Sequence, residues 1–196
     1  NEEKRILQVN TVREGGYYMQ RIDRKEATEY TKEINNKFLD DNSLNIDDNE
    51  DFEAAGKGLI VKLEEPIIRD KDGKVVFNLK EYDFLQGEEN PETINPSLWR
   101  LSKLNMHHGL FKVTDKIYQV RGYDLAVITF IESESGYIVV DSLTTVESAK
   151  AALQLVYEHI GKKPILAVIY THSHGDHWGG IKGIISEEEV RSAKVR

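Results

Sequence analysis

The chain contains no cysteine, which excludes disulfides and thiolate metal sites, so any bound metal must rest on nitrogen and oxygen donors. The absence of thiols leaves the redox compartment open. There is no apolar run of about 20 residues, so no helix is expected to span a bilayer. The opening residues "NEEKRILQV" also lack the apolar centre of a signal peptide. The chain starts at Asn1 rather than at methionine, which fits either a removed export signal or a shortened chain. Positive charge is in deficit, with 26 basic against 34 acidic residues and a formal charge of -8. Nothing in that balance attracts nucleic acid or an anionic membrane surface, so an anionic substrate must be drawn by local charge. Proline is scarce, at 4 residues, beside 14 glycines; 39% of the 196 residues are hydrophobic and 31% charged. That is the composition of a soluble globular protein, one domain or a piece of one.

Along the chain, "DRKEATEYTKEINNKF" has opposite charges spaced for i,i+4 pairing and predicts a solvated helix. Six acids follow between Asp40 and Asp51. A calcium loop started at Asp47 fails, because Phe52 stands where a glycine is needed and Gly58 where a glutamate is needed, so a solvated acidic loop is expected. "PIIRDKDGKVVFNL" places two β-prone runs around Asp72-Gly73 and predicts a hairpin with a type I′ turn. "FKVTDKIYQVRG", "YDLAVITFIE" and "GYIVVDS" predict an antiparallel meander. Next, Thr144 and Glu147 have capping-box spacing, and Ala149, Ala152, Leu153, Val156 and Ile160 line one face of a helix that Gly161 ends. "KPILAVIY" is a continuous apolar run, as expected of a strand covered on both faces. Strand, helix and strand make a βαβ unit whose second strand runs into "YTHSHGDHWGG". Open α/β sheets commonly bind ligands at such carboxyl ends.

Three of the six histidines and one aspartate occupy the six residues from His172 to His177. Two histidines two apart can turn both imidazoles to one side of a loop, and Asp176 and His177 can face a neighbouring point. Such donors suit Zn²⁺, or less specifically Mn²⁺ or Fe²⁺. Gly175, Gly179 and Gly180 are expected to let the backbone bend around the metal. A closed structural zinc site would need four protein ligands, whereas two adjacent sites keep positions open for water.

"THSHGDH" resembles the T-H-x-H-x-D-H metal motif of the metallo-β-lactamase fold, and Asp141 in "YIVVDS" resembles the aspartate those proteins carry beside the metal loop. "AAGKGLIV", "GKVVFNLKEYDFLQG", "TINPSLWRLSKLNMHHGLFKVTDKIYQVRGYDL" and "VIYTHSHGDHWGGIKGI" resemble the alkylsulfatases of that superfamily over about two-thirds of the chain, Phe52 to Ile185. The resemblance implies an α/β chain holding the first half of an αββα fold: a helix-and-hairpin extension over residues 1–105, then the N-terminal half of the catalytic domain over 106–196. It implies zinc-dependent hydrolysis of alkyl sulfate esters, such as detergents, to alcohol and sulfate. His172 and His174 would bind one Zn²⁺ and Asp176 and His177 a second, with Asp176 counted as the catalytic carboxylate and further ligands downstream. A bridging water would be the hydrolytic agent. Asp141 would orient the loop or a ligand imidazole while capping the strand-to-helix turn. The partner implied is an amphiphilic sulfate ester, with a homodimer in the full-length protein and a periplasmic or secreted location. Another hydrolase on the same fold (lactamase, thioesterase, phosphodiesterase) and an inactive binding module are the alternatives.

Family members carry further ligands, glutamates and a histidine, well downstream of the motif, so the resemblance implies that residues up to Arg196 look like the N-terminal part of a longer polypeptide. The resemblance also leads one to expect a polar asparagine near "YDLAVITF", as many relatives have, but Val127 occupies that neighbourhood. Trp178 is expected to pack under the loop, His107 and His108 to serve packing or the surface, and His159 to complement a helix C-terminus.

Overall fold

A computed structural model describes residues 25–40, 48–87 and 89–192. Its centre is a six-stranded sheet of order β1-β4-β5-β6-β7-β8, formed by β1 (Leu59–Val61), β4 (Gly109–Thr114), β5 (Ile117–Arg121), β6 (Ile128–Glu132), β7 (Tyr137–Val140) and β8 (Ile165–Ile169). The strands from β4 to β7 form the expected antiparallel meander, and β8 joins parallel to β7 through helix α4 (Val146–His159). A parallel neighbour requires such a crossover, since no short turn can return the chain to the same end of the sheet.

Alternation along the strands decides which face is buried. Leu110, Val120, Ile128, Phe130, Tyr137 and Val139 pack with Ala149, Ala152, Leu153 and Val156 of α4 in one core. The predicted apolar stripe of α4 is therefore the stripe that docks, and each large side chain buried there contributes about 1.5–3 kcal/mol. Phe130 and Tyr137 meet edge to face at 6.2 Å, and the Tyr137 hydroxyl donates to the Gly161 carbonyl at 2.8 Å, tying the start of β7 to the end of α4. The result is a mixed α/β layer, an antiparallel meander extended by one parallel strand and backed by α4.

The N-terminal region is joined to this sheet by more than packing. β1 pairs antiparallel with β4, while β2 (Ile67–Arg69) and β3 (Val75–Asn78) form a separate hairpin whose Ile68 enters the core. Helices α1 (Glu29–Asp40) and α2 (Glu50–Gly56) pack against α3 (Pro96–Leu104), as does a 3-10 helix at Leu79–Gln86, while the hairpin lies against α4. The predicted charged helix is α1, with ion pairs Lys32–Glu29 and Lys37–Glu33. Asp47, where the calcium loop was tested, lies outside the described residues. Of the nearby acids, Asp51 pairs with Arg100 at 2.8 Å and Asp48 accepts from the Glu50 N–H at 2.8 Å. Among the described residues, no helix is long and apolar enough to cross a membrane.

Three local expectations need correction. The β2–β3 turn is not type I′, because only Gly73 takes a positive φ (82°). Asp70 Oδ1 accepts from the N–H groups of Asp72 and Lys74, at 2.9 and 2.8 Å, and holds the turn right-handed until the glycine. The N-cap of α4 is Thr145, which accepts from Ser148 N–H at 3.2 Å; Thr144 instead donates to Asp124 at 2.6 Å. β8 is the edge strand of this sheet, with Ile169 50% exposed, so it is covered less than its apolar run predicts.

Candidate metal centre

The carboxyl ends of β7 and β8 lie side by side because the strands are parallel, and their outgoing loops meet there. Helix α5 (Gly175–Trp178) is a single turn with His174 as its N-cap residue, so the loop from Thr171 to His174 and the helix carry all three histidines on one short path. The ring centroids of His172 and His174 stand 4.7 Å apart, and those of His172 and His177 only 3.9 Å. The sequence suggested two pairs of donors; the fold gathers three rings around His172.

Asp141 organises the group from below. It is 6% exposed and has φ 62°, a left-handed conformation that aspartate tolerates better than most residues. Leu143, fully buried at the same φ of 62°, is held there by its surroundings: its carbonyl accepts from Gly180 N–H at 2.8 Å. Such conformations cost roughly 1–3 kcal/mol and persist where neighbouring structure over-determines them. Asp141 Oδ1 accepts from Thr171 N–H at 2.9 Å, and Oδ2 lies 2.7 Å from His177 Nδ1 and 2.9 Å from Thr171 Oγ1. Burial works to raise the Asp141 pKa, but the bonds to His177 and Thr171 together hold it below the ordinary aspartate value.

These contacts assign the protons. A carboxylate accepts only, so the hydrogen bonding places a proton on His177 Nδ1 and leaves a lone pair on Nε2. The single proton of the Thr171 hydroxyl goes to Asp141, so at 2.9 Å Thr171 Oγ1 accepts from His172 Nδ1–H, and His172 Nε2 is likewise free. One buried carboxylate thus sets two imidazoles in the tautomer a divalent ion requires, directly for His177 and through a hydroxyl for His172. His177 Nε2 lies 3.4 Å from Asp176 Oδ2, two electron-pair donors brought together with room for a cation. The fit is one of donor type and tautomer. Among the described residues no three His, Asp or Glu donors are arranged so as to hold an ion.

The glycines do different work from that expected. None of Gly175, Gly179 and Gly180 has a positive φ. A Cβ on Gly180 would collide with the carbonyl oxygens of Ser142 and Thr145, and one on Gly179 with that of Thr144, whereas one on Gly175 meets nothing within 4 Å. Two of them let α5 lie on the β7–α4 loop, and Ser142 N–H donates to His177 O at 2.8 Å across that contact.

Trp178 does not pack under the loop; it is 49% exposed and its Nε1–H donates to Ser173 O at 3.0 Å, clasping the loop from outside. His108 is structural, with Nδ1 3.1 Å from Met106 O and Nε2 3.3 Å from Leu63 O. His107 lines a cavity, where burial, then the charges of Arg121 and His108, lower its pKa. His159 is exposed at the last residue of α4.

Thr171 and Asp124 were not anticipated. Thr171 belongs to the motif, and its hydroxyl beside two histidines was the available signal. Asp124 is 9% exposed and accepts from Thr144 N–H at 3.0 Å and Thr144 Oγ1–H at 2.6 Å, joining the β5–β6 loop to the β7–α4 loop. That bond spans 20 residues, and nothing local announces it.

A family model described as the metallo-β-lactamase superfamily matches residues 121–196. The alkyl/aryl-sulfatase BDS1 of Saccharomyces cerevisiae is 48% identical over 153 residues, 78% of this chain and 24% of that protein. A linear primary-alkylsulfatase of Pseudomonas sp. is 46% identical over 173 residues, 88% of this chain and 25% of that protein. The solved structure of a stereoselective inverting sec-alkylsulfatase, Pisa1 from Pseudomonas sp., matches with a TM-score of 0.80 at 46% identity, over 89% of this chain and 27% of that one. The chain spans about a quarter of the length of these relatives.

Proposed function

We propose that this chain, which carries a metallo-β-lactamase-superfamily domain and is homologous along most of its length to alkylsulfatases, supplies the metal loop of an enzyme that hydrolyses alkyl sulfate esters to alcohol and sulfate. The observation that carries the reading is the buried Asp141 carboxylate holding His177 and, through Thr171, His172 as Nδ1–H tautomers, in a chain with this kinship. His172 and His174 would hold one zinc ion, and Asp176 and His177 a second, with ligands from outside this chain completing both. When bound, such ions supply Lewis acidity towards the sulfate oxygens and a water nucleophile of lowered pKa.

The chain's own residues contribute positioning. Asp141 keeps the proton on Nδ1 of His177 and Thr171 keeps it on Nδ1 of His172, so neither ring turns its N–H towards the reacting centre. Asp176 brings a carboxylate oxygen to 3.4 Å from His177 Nε2, so the two donors would share one cation between them. Trp178 holds Ser173 and limits the loop between the first two histidines. The relatives' names include both primary and secondary alkylsulfatases, so the substrate is best described as an alkyl sulfate ester, detergents such as dodecyl sulfate among them.

The test is sulfate release from dodecyl sulfate by the protein encoded by the whole reading frame containing this chain, with added zinc, with chelator, and beside a β-lactam control. Chelator-sensitive sulfate release is expected, and it disappears in His174→Ala. Two bound metals with no sulfate released sinks the sulfatase assignment and leaves a hydrolase of another specificity. No bound metal sinks the metal centre itself.

A further inference from the structure

Ser142, Leu143, Thr144 and Thr145 follow one another in the β7–α4 loop, and each of them touches the segment that carries His177. Ser142 N–H donates to His177 O at 2.8 Å, and Leu143 O accepts from Gly180 N–H at 2.8 Å. Thr144 O lies against Gly179 and Thr145 O against Gly180, so closely that neither glycine has room for a side chain. The loop is thus the seat on which α5 rests. It is not a relaxed seat: Asp141 and Leu143 both have φ 62°, a conformation that residues other than glycine leave when nothing holds them there.

Two features oppose that release. The Leu143 side chain is fully buried, which fixes the depth of the loop, but apolar burial is non-directional and leaves its rotation free. Rotation is fixed from the β5–β6 loop by Asp124. Its Oδ2 accepts from Thr144 N–H at 3.0 Å, and its Oδ1 accepts from the Thr144 hydroxyl and from Leu125 N–H, both at 2.6 Å. Held by N–H and hydroxyl together, Thr144 cannot turn, and its carbonyl oxygen stays against Gly179. Asp124 is 9% exposed, on the wall of an apolar cavity of about 780 Å³ that it shares with Trp99 and Val127. Hydrogen bonds to a carboxylate are of the stronger kind, and surroundings poor in water strengthen them further.

We infer that Asp124 is a positioning residue of the metal centre: by holding Thr144 it keeps the β7–α4 loop in the left-handed form that aims the Asp141 carboxylate at His177 and Thr171 and seats α5. The inference rests on the proposed metal-loop reading and adds a residue that lies outside the motif. Asp124 acts through Thr144 and Asp141, so its loss leaves every donor atom in place and loosens their arrangement.

The experiment uses the protein encoded by the whole reading frame containing this chain. Zinc affinity is measured by competition with a chelator, and amide hydrogen exchange is followed by mass spectrometry in excess chelator, so the second readout needs no bound metal. In Asp124→Asn zinc binding should weaken about tenfold, as for other residues that orient a ligand imidazole. Peptides holding Ser142 and Gly180, whose N–H groups cross the seat, should exchange about tenfold faster, the loss of roughly one hydrogen bond's worth of protection. Thr144→Val should shift both readouts the same way, Thr144→Ser, which keeps the hydroxyl, should match the parent, and the Asp124→Asn, Thr144→Val double variant should be no worse than Asp124→Asn alone. Tyr137→Phe is the control for general destabilisation, since it removes the bond to Gly161 O at the opposite end of β7 and should leave both readouts unchanged. Unchanged affinity and exchange in Asp124→Asn and Thr144→Val overturn the inference, as do additive effects in the double variant or equal effects in Tyr137→Phe. If Asp124→Asn does not fold, Thr144→Val against Thr144→Ser decides alone. The two readings fail separately: tight zinc binding that depends on Asp124 without sulfate release removes the sulfatase and leaves the positioning role, whereas sulfate release with zinc affinity and exchange indifferent to Asp124 does the reverse.

Discussion

Replacing Asp141 with asparagine keeps the shape of the side chain and removes its charge, which makes it the sharpest probe of the proton assignment. The carboxylate accepts from Thr171 N–H through Oδ1 and from His177 Nδ1–H and Thr171 Oγ1–H around Oδ2. A carboxamide has one oxygen. If that oxygen stays with Thr171 N–H, the NH₂ group faces His177 Nδ1, and donor meets donor unless the imidazole gives up the proton there. The loss is at least one hydrogen bond to a charged group in a site only 6% exposed, worth about 1.5–3 kcal/mol. For a chain of this length that lowers the melting temperature by about 3–12 °C. Thermal unfolding of the chain in chelator measures it without any metal contribution. ¹⁵N-edited imidazole spectra should show His177 changing from the Nδ1–H to the Nε2–H tautomer. Zinc binding in the full-length protein should weaken by about 10–100-fold, the usual consequence of removing the partner of a ligand imidazole. A variant that unfolds within about 1 °C of the parent with an unchanged His177 tautomer would refute the reasoning, because Asp141 would then be a simple turn residue.

Three further outcomes are expected. Gly180→Ala places a methyl against two carbonyl oxygens and should cost about 1–3 kcal/mol or prevent folding, whereas Gly175→Ala, with open space, should change stability by under about 0.5 kcal/mol in urea denaturation; equal effects would contradict the packing of α5. His107 has its pKa lowered by burial, by Arg121 and by His108, so below pH about 6.5 the unfolded chain binds more protons than the folded one and stability falls with pH. That fall, followed as the urea midpoint from pH 8 to 5, should be shallower in His107→Gln; superimposable profiles would deny the shift. Thr145→Ala removes the cap of α4 and should cost about 1 kcal/mol, while Thr144→Val strips the buried Asp124 of a charge-assisted bond and should cost about 1.5–3 kcal/mol, an order that denaturant titration can confirm or reverse.

Some of this protein was determined by the sequence alone, because the forces concerned act over a few residues. The meander follows from β-branched and aromatic runs, and α4 from an apolar stripe with a helix-stopping Gly161. The histidine cluster was visible because its donors are crowded into six residues, and any backbone path keeps them close. Even locally, competition among polar groups misled: Asp70 rather than Asp72-Gly73 shapes the hairpin turn, and Thr145 rather than Thr144 caps α4, since Asp124 engages the other hydroxyl.

What tertiary structure decided are the relations across long separations. Asp141 reaches His177 over 36 residues, and Asp124 reaches Thr144 over 20, because parallel β8 brings the ends of two strands together and the sheet stacks three loops at one end. The apolar cavity has the same origin, since Trp99 and Val127 carry no pattern that pairs them and share a wall only once the fold sets α3 beside the β5–β6 loop. Residue type determines which atoms can bind a proton or a metal, but hydrogen-bond partners select the tautomer, and those partners are brought within reach only by the fold.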